Sequence, residues 1–203
     1  MINKWQLVLL LTVVCVFENC NDRPGEQTKV TNDKKPAQDS VILPTDPAVT
    51  DTLKKSLPAV ADAEINGKKI TIRYHSPGVR NRVIWGGLVP YDQVWVTGAH
   101  LATSIESSGD MIINGKTIPA GKYALFTIPG KEQWTVILNK NWQQHLTDEY
   151  NASDDIVRLN VNPEAAPHQE RLMYSIAQND GGRHVIEMKW EKISIRVPFE
   201  FAN

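Results

Sequence analysis

Ten residues, RYHSPGVRNR from Arg73 to Arg82, gather three arginines, a tyrosine, a histidine and a serine around a Pro-Gly turn. Guanidinium groups hold carboxylate or phosphate oxygens two at a time, and an aromatic face stacks on a flat ring. The segment therefore reads as an anion- or sugar-binding edge, with Arg73, His75, Arg80 and Arg82 as its polar groups. Trp85, just before Gly86-Gly87, and Trp95, just before Thr97-Gly98, carry the same candidate ligand-binding face on to His100. The plain alternative is a solvated loop whose arginines pair with neighbouring acids and whose tryptophans pack in the core.

Other chemistry is sparse. The chain has no G-x-S-x-G elbow, no H-E-x-x-H, no Walker loop and no G-x-G-x-x-G, so no cofactor is expected. The histidines are His75, His100, His145, His168 and His184, and none is paired at the spacing a local metal site favours. The one constellation worth testing is His75, His100 and Glu106, converging from separate strands as a two-histidine-one-carboxylate metal or acid-base set. Three readings stay open. The first is a non-catalytic domain that binds a small molecule, a glycan or an envelope protein, the second a periplasmic hydrolase using that constellation, and the third a structural protein without ligand.

The elements that must position these residues are strands. From Glu64 onward short alternating runs such as KKITIRY, QVWVTG, GKYALFTIP, QWTVILNK, RHVIEMKW and ISIRVPFEF are bounded by Gly, Pro, Asn or Asp. This pattern predicts an all-β fold, an antiparallel β-sandwich or jelly-roll-like domain, with one short helical segment around 140–152. Asp110 to Lys140 reads as three consecutive strands in a central meander, with Asn114-Gly115 as a hairpin turn because both residues tolerate positive φ. Its second strand alternates Tyr123, Leu125 and Thr127 with Ala124, Phe126 and Ile128, and apolar side chains on both faces mark a central position. Ile-Asn-Gly-Lys occurs at 65–68 and again at 113–116, which reads as two hairpins solving one geometric problem. Trp134 and Trp190 alternate inside strands and are expected in the core.

The chain of 203 residues carries a formal charge of -1, which gives no electrostatic reason to expect nucleic acid as a partner. Both cysteines, Cys15 and Cys20, fall within the first twenty residues, so the folded part has neither disulfide nor thiolate metal site. Leu7–Phe17 is an apolar run of about 16 Å as a helix, too short to span a bilayer and the length of a signal-peptide core. It ends at ENC, with Cys20 last and a polar tail following, and this arrangement resembles the lipobox of bacterial lipoproteins. The expectation is export, with residues 1–19 as a lipoprotein-type signal and Cys20 lipidated, so that the membrane is a partner through its acyl chain. Residues 20–60, rich in Asp, Lys, Pro, Thr and Gln, read as a polar tether, and 61–203 as the domain.

Three blocks together resemble a known family. They are RYHSPGVRNRVIWGGLVPYDQVWVTGAHLATSIE (73–106), INGKTIPAGKYALFTIPGKEQWTVILNK (113–140) and MKWEKISIRVPF (188–199). The family is DUF2911, bacterial envelope proteins of unknown function. The resemblance covers about residues 64–199 and implies an exported, often lipid-anchored, β-rich domain without an assigned reaction or ligand. Val96, His100 and Leu101 stand where that family usually shows an arginine and an asparagine–glutamate pair, leaving a mostly apolar cluster in place of a charged one.

Overall fold

The structure, a computed structural model, describes residues 54–178 and 183–202. The signal at 1–19, Cys20 and the tether up to residue 53 lie outside the described residues. What is described is two antiparallel sheets packed face to face. The larger has six strands in the order β1 (Leu57–Ile65), β2 (Lys68–Ser76), β3 (Ser104–Ser107), β6 (Gly121–Ile128), β7 (Trp134–Asn139) and β8 (Asp155–Val161). The smaller has four, in the order β5 (Lys116–Ile118), β4 (Met111–Ile113), β10 (His184–Phe201) and β9 (Glu164–Gln178). The expected all-β antiparallel fold is what forms.

Alternation decides which side chains meet between the sheets. On β2, Ile70, Ile72 and Tyr74 are buried, while Arg73 between them is exposed. They pack with Ile105, Leu125, Val136 and Leu138 of the same sheet against Met111, Leu172, Tyr174, Met188, Trp190 and Phe199 of the other. β6 lies between β3 and β7 and is buried on both faces. Tyr123 and Leu125 enter the core between the sheets. Ala124 and Phe126 enter a second, smaller cluster with Val96, Ala102 and Ile137 on the outer face. Loop residues Val94, Trp95, Trp142 and Tyr150 pack against that cluster.

Both Ile-Asn-Gly-Lys turns join antiparallel neighbours, β1 to β2 and β4 to β5. Their Asn and Gly residues have φ of 52° and 74° in one turn and 50° and 73° in the other. The expected three-stranded meander is not what forms, because β4 and β5 belong to the smaller sheet and β6 and β7 to the larger. Pro119 between β5 and β6 offers no N–H to a ladder, so the chain leaves one sheet there and enters the other. The corner is held by Ala120 N donating to Asp110 Oδ1 (2.8 Å) and by Tyr123 OH donating to Pro119 O (2.9 Å).

Three further expectations change. QVWVTG forms a single bridge, Trp95 to Thr127, because Asp92 (φ 61°) and Thr97 (φ 52°) turn the chain out of extended geometry on either side. The helix expected around 140–152 is replaced by turns, and the only helical turn there is the 3-10 segment Ala152–Asp154. Side chains compete with helical bonds in that stretch: Asn139 Oδ1 accepts from Asn141 N (2.9 Å) and Gln144 Nε2 donates to Asn141 O (2.7 Å). RHVIEMKW and ISIRVPFEF fuse into the single strand β10, bulged where Glu191 takes φ 56°.

Candidate functional site

β2 ends at Ser76 and β3 begins at Ser104, so residues 77–103, which hold most of the candidate site, form one long connection over the end of the sandwich. It is pinned at several points. Leu172 N donates to Pro77 O (3.0 Å), Val79 N to Glu170 O (2.8 Å), and Trp95 N to Thr127 O (2.7 Å). Inside it the backbone is unusual. Of the nine non-glycine residues with positive φ among those described, five lie here: Arg80, Asn81, Asp92, Thr97 and His100. Thr97 is the most costly, since a β-branched side chain resists this region. It is fully buried and over-determined: its Oγ1 meets Thr127 Oγ1 at 3.0 Å, and its carbonyl accepts from Thr103 Oγ1 (3.1 Å) and from Tyr174 OH (2.9 Å). Gly98 is tightly enclosed, for a Cβ there would lie 2.7 Å from Thr103 Oγ1 and 3.2 Å from His75 O.

The structure brings the expected residues together in three groups. His75, half-buried on the outer face of β2, meets the exposed His100 edge to face, ring centres 5.2 Å apart. Burial first, and the nearby charge of His100 second, hold His75 below the ordinary imidazole pKa. Arg80 and Arg82 flank the turn after Pro77-Gly78. Arg82 folds back on that turn, Nη2 donating to Gly78 O (2.6 Å) and Nε to Val79 O (3.2 Å), while Arg80 Nη1 donates to Lys54 O.

Trp85 and Trp95 are half-buried and join Trp134 and Trp190 in a four-ring cluster. Trp85 lies 4.8 Å from Trp134 edge-on, and Trp95 stacks on Trp190 at 5.7 Å and 19°. Trp134 and Trp190 are in the core, as their alternation indicates. The outer two tryptophans have most of each ring against the core, as the packing reading expects. Nε1 of Trp85 and of Trp190 is shielded from solvent with no acceptor among the described residues.

Arg73 and Glu106 stand apart. Arg73 is exposed in the middle of β2, opposite Val60 and Ser104. Glu106 is exposed on β3 opposite Thr71, four positions from His75 along β2, or about 13 Å at strand rise. The two-histidine-one-carboxylate set is thus reduced to its two histidines. Among the described residues no three His, Cys, Asp or Glu side chains are grouped closely enough to hold a metal.

Sequence reasoning missed Glu170, Arg171 and Tyr174, all on β9. Glu170 Oε1 accepts from Arg80 N (2.9 Å), and Arg171, 2% exposed, donates through Nη1 to Ser76 O (2.9 Å) and Lys55 O (3.1 Å). Arg171 and Leu172 are adjacent and both buried, which breaks the alternation that would have flagged either. Two open hollows of about 450 Å³ and 470 Å³ share Asn114 and border the β4–β5 hairpin; none of the seven expected ligand-binding residues lines them.

The fold and site define a two-sheet antiparallel β-sandwich with a long, strained and firmly held loop over one end. The chain belongs to the family described as protein of unknown function (DUF2911), whose model matches residues 56–199. No curated protein and no solved structure matches it.

Proposed function

We propose that this is an exported protein, lipid-anchored at Cys20, whose β-sandwich binds a small molecule, glycan or envelope partner without catalysing a reaction. The binding surface is the connection 77–103 with its neighbours on β2. The observation that carries this reading is the concentration of positive φ between Arg80 and His100, of which Thr97 is held in place by buried hydroxyls. Backbone strain of this kind persists where a surface must present fixed groups, and it costs on the order of 1–3 kcal/mol per residue.

The hydrolase reading draws on His75, whose depressed pKa keeps its imidazole neutral and able to act as a base. The carboxylate expected to complete that set, Glu106, lies about 13 Å away at strand rise. Binding therefore ranks ahead of hydrolysis.

Two measurements test the proposal. Palmitate labelling should be lost in Cys20→Ala, and labelling that survives the substitution overturns the anchor. A thermal-shift screen of saccharides and small acids should find ligands whose shift disappears in His100→Ala or Trp85→Ala. Ligands that bind these variants as well as the parent overturn the assigned face.

A further inference from the structure

Around the Pro77–Val79 turn the chain collects positive charge. The backbones of Lys54, Lys55, Arg80, Arg82 and Arg171 are tied to the turn or to one another by the bonds Arg80 Nη1 to Lys54 O, Arg171 Nη1 to Lys55 O, Arg82 Nη2 to Gly78 O, and the Gly78–Arg171 bridge. Among the described residues, Arg80 and Arg82 share this turn with one hydrogen-bonded acid, Glu170. Glu170 is already engaged, Oε1 by the backbone N–H of Arg80 (2.9 Å) and Oε2 by His168 Nε2 (3.3 Å).

Of the arginines, Arg82 spends Nε and Nη2 on backbone carbonyls. Arg80 does not. Its Nε and Nη2 are both shielded from water, and neither has an acceptor among the described residues. These two nitrogens form one edge of the guanidinium fork, the edge that matches the paired oxygens of a carboxylate or phosphate. Shielded charged donors left without acceptors are costly, and an incoming oxyanion removes that cost. The backbone of Arg80 has φ 50°, so the side chain leaves a fixed turn.

We propose that the Nε–Nη2 edge of Arg80 is an oxyanion site, which takes the carboxylate or phosphate group of a small ligand in bidentate fashion. This gives a chemical class to the ligand of the proposed binding face and rests on that reading. Glu170, whose Oε1 accepts from the Arg80 backbone, limits affinity by its charge.

The test is a titration of the full chain at low ionic strength with inorganic phosphate, with glucuronate and with glucose, followed by calorimetry or amide shifts. Saturable one-site binding of phosphate or glucuronate, and none of glucose at this position, is the expected result. Phosphate alone points to a phosphate ester as ligand, glucuronate alone to an acidic sugar or other carboxylate. Arg80→Lys keeps the charge but offers no fork and should weaken binding about tenfold or more. Glu170→Gln should tighten it about threefold, a gain that a folding defect does not produce. Neither anion binding, or Arg80→Lys binding like the parent, overturns the site. A neutral saccharide captured at the Trp85–His100 surface and unaffected by Arg80→Lys overturns the oxyanion site while keeping the binding face. Phosphate held at Arg80 while no saccharide, small acid or protein is sensitive to Trp85 or His100 overturns the wider face and keeps the oxyanion site.

Discussion

Thr97 carries more constraint than any other single residue of the loop. A buried threonine at φ 52° is held by Thr127 and the Trp95 carbonyl at its hydroxyl, and by Thr103 and Tyr174 at its carbonyl. Tyr174→Phe removes one of two donors to the Thr97 carbonyl and should cost about 1 kcal/mol in chemical denaturation. Thr97→Val keeps the shape and strain but leaves Thr127 Oγ1 without its partner, and should cost about 1–3 kcal/mol. Equal stability of both variants and parent would show that the loop is not held this way. His75 adds a pH dependence. Its folded-state pKa lies below the ordinary value of 6.5, so the unfolded chain takes up its proton first as pH falls. Stability is therefore undiminished by this group above pH 6.5 and declines as pH drops from there toward the folded-state pKa. His75→Gln should flatten that part of a melting-temperature profile, and an unchanged slope would assign it to other groups. At this scale the sequence was legible for residue types but not for partners. The contact of His75 with His100 depends on the path of the long connection and the separation of Glu106 on strand register, and types and spacing contain neither.

The elements were legible wherever alternation was clean. β2, β6 and β7 follow the expected runs, because a side chain on a pleated strand has only two faces to choose between. Legibility failed where a local pattern was overridden: Pro119 sends the chain from one sheet to the other, and positive φ at Asp92 and Thr97 reduces an apparent strand to one bridge. Two substitutions test the elements. Gly115 has φ 73°, and a Cβ there meets no atom within 4 Å, so Gly115→Val carries only the backbone penalty, about 1–2 kcal/mol. Phe126 is fully buried in the outer cluster, its ring 5.4 Å from that of Tyr150. Phe126→Ala should cost about 3–5 kcal/mol in denaturant unfolding. A cost below about 1 kcal/mol would mean that the loops over that face close the cavity, and that the cluster is not a second core.

At the scale of the whole molecule, the tryptophan cluster joins what the topology keeps apart. Trp134 belongs to β7 of the larger sheet, Trp190 to β10 of the smaller, and Trp85 and Trp95 to the long connection. All four rings lie within 6.5 Å of at least one other. The candidate site is therefore built into the same cooperative unit as both sheets, since its loop cannot open without exposing apolar rings that close the core between them. Loops that bind by folding over a ligand come from the low-stability end of a protein; this one is preformed. Unfolding followed by tryptophan fluorescence should accordingly coincide with unfolding followed by far-ultraviolet circular dichroism, in heat and in denaturant. Trp190→Ala should lower both transitions together by about 3–5 kcal/mol, because it removes a fully buried ring that meets Trp85 and Trp95. A fluorescence transition that precedes the loss of sheet would show the connection melting by itself. The binding surface would then be assembled by its ligand, not presented ready-made.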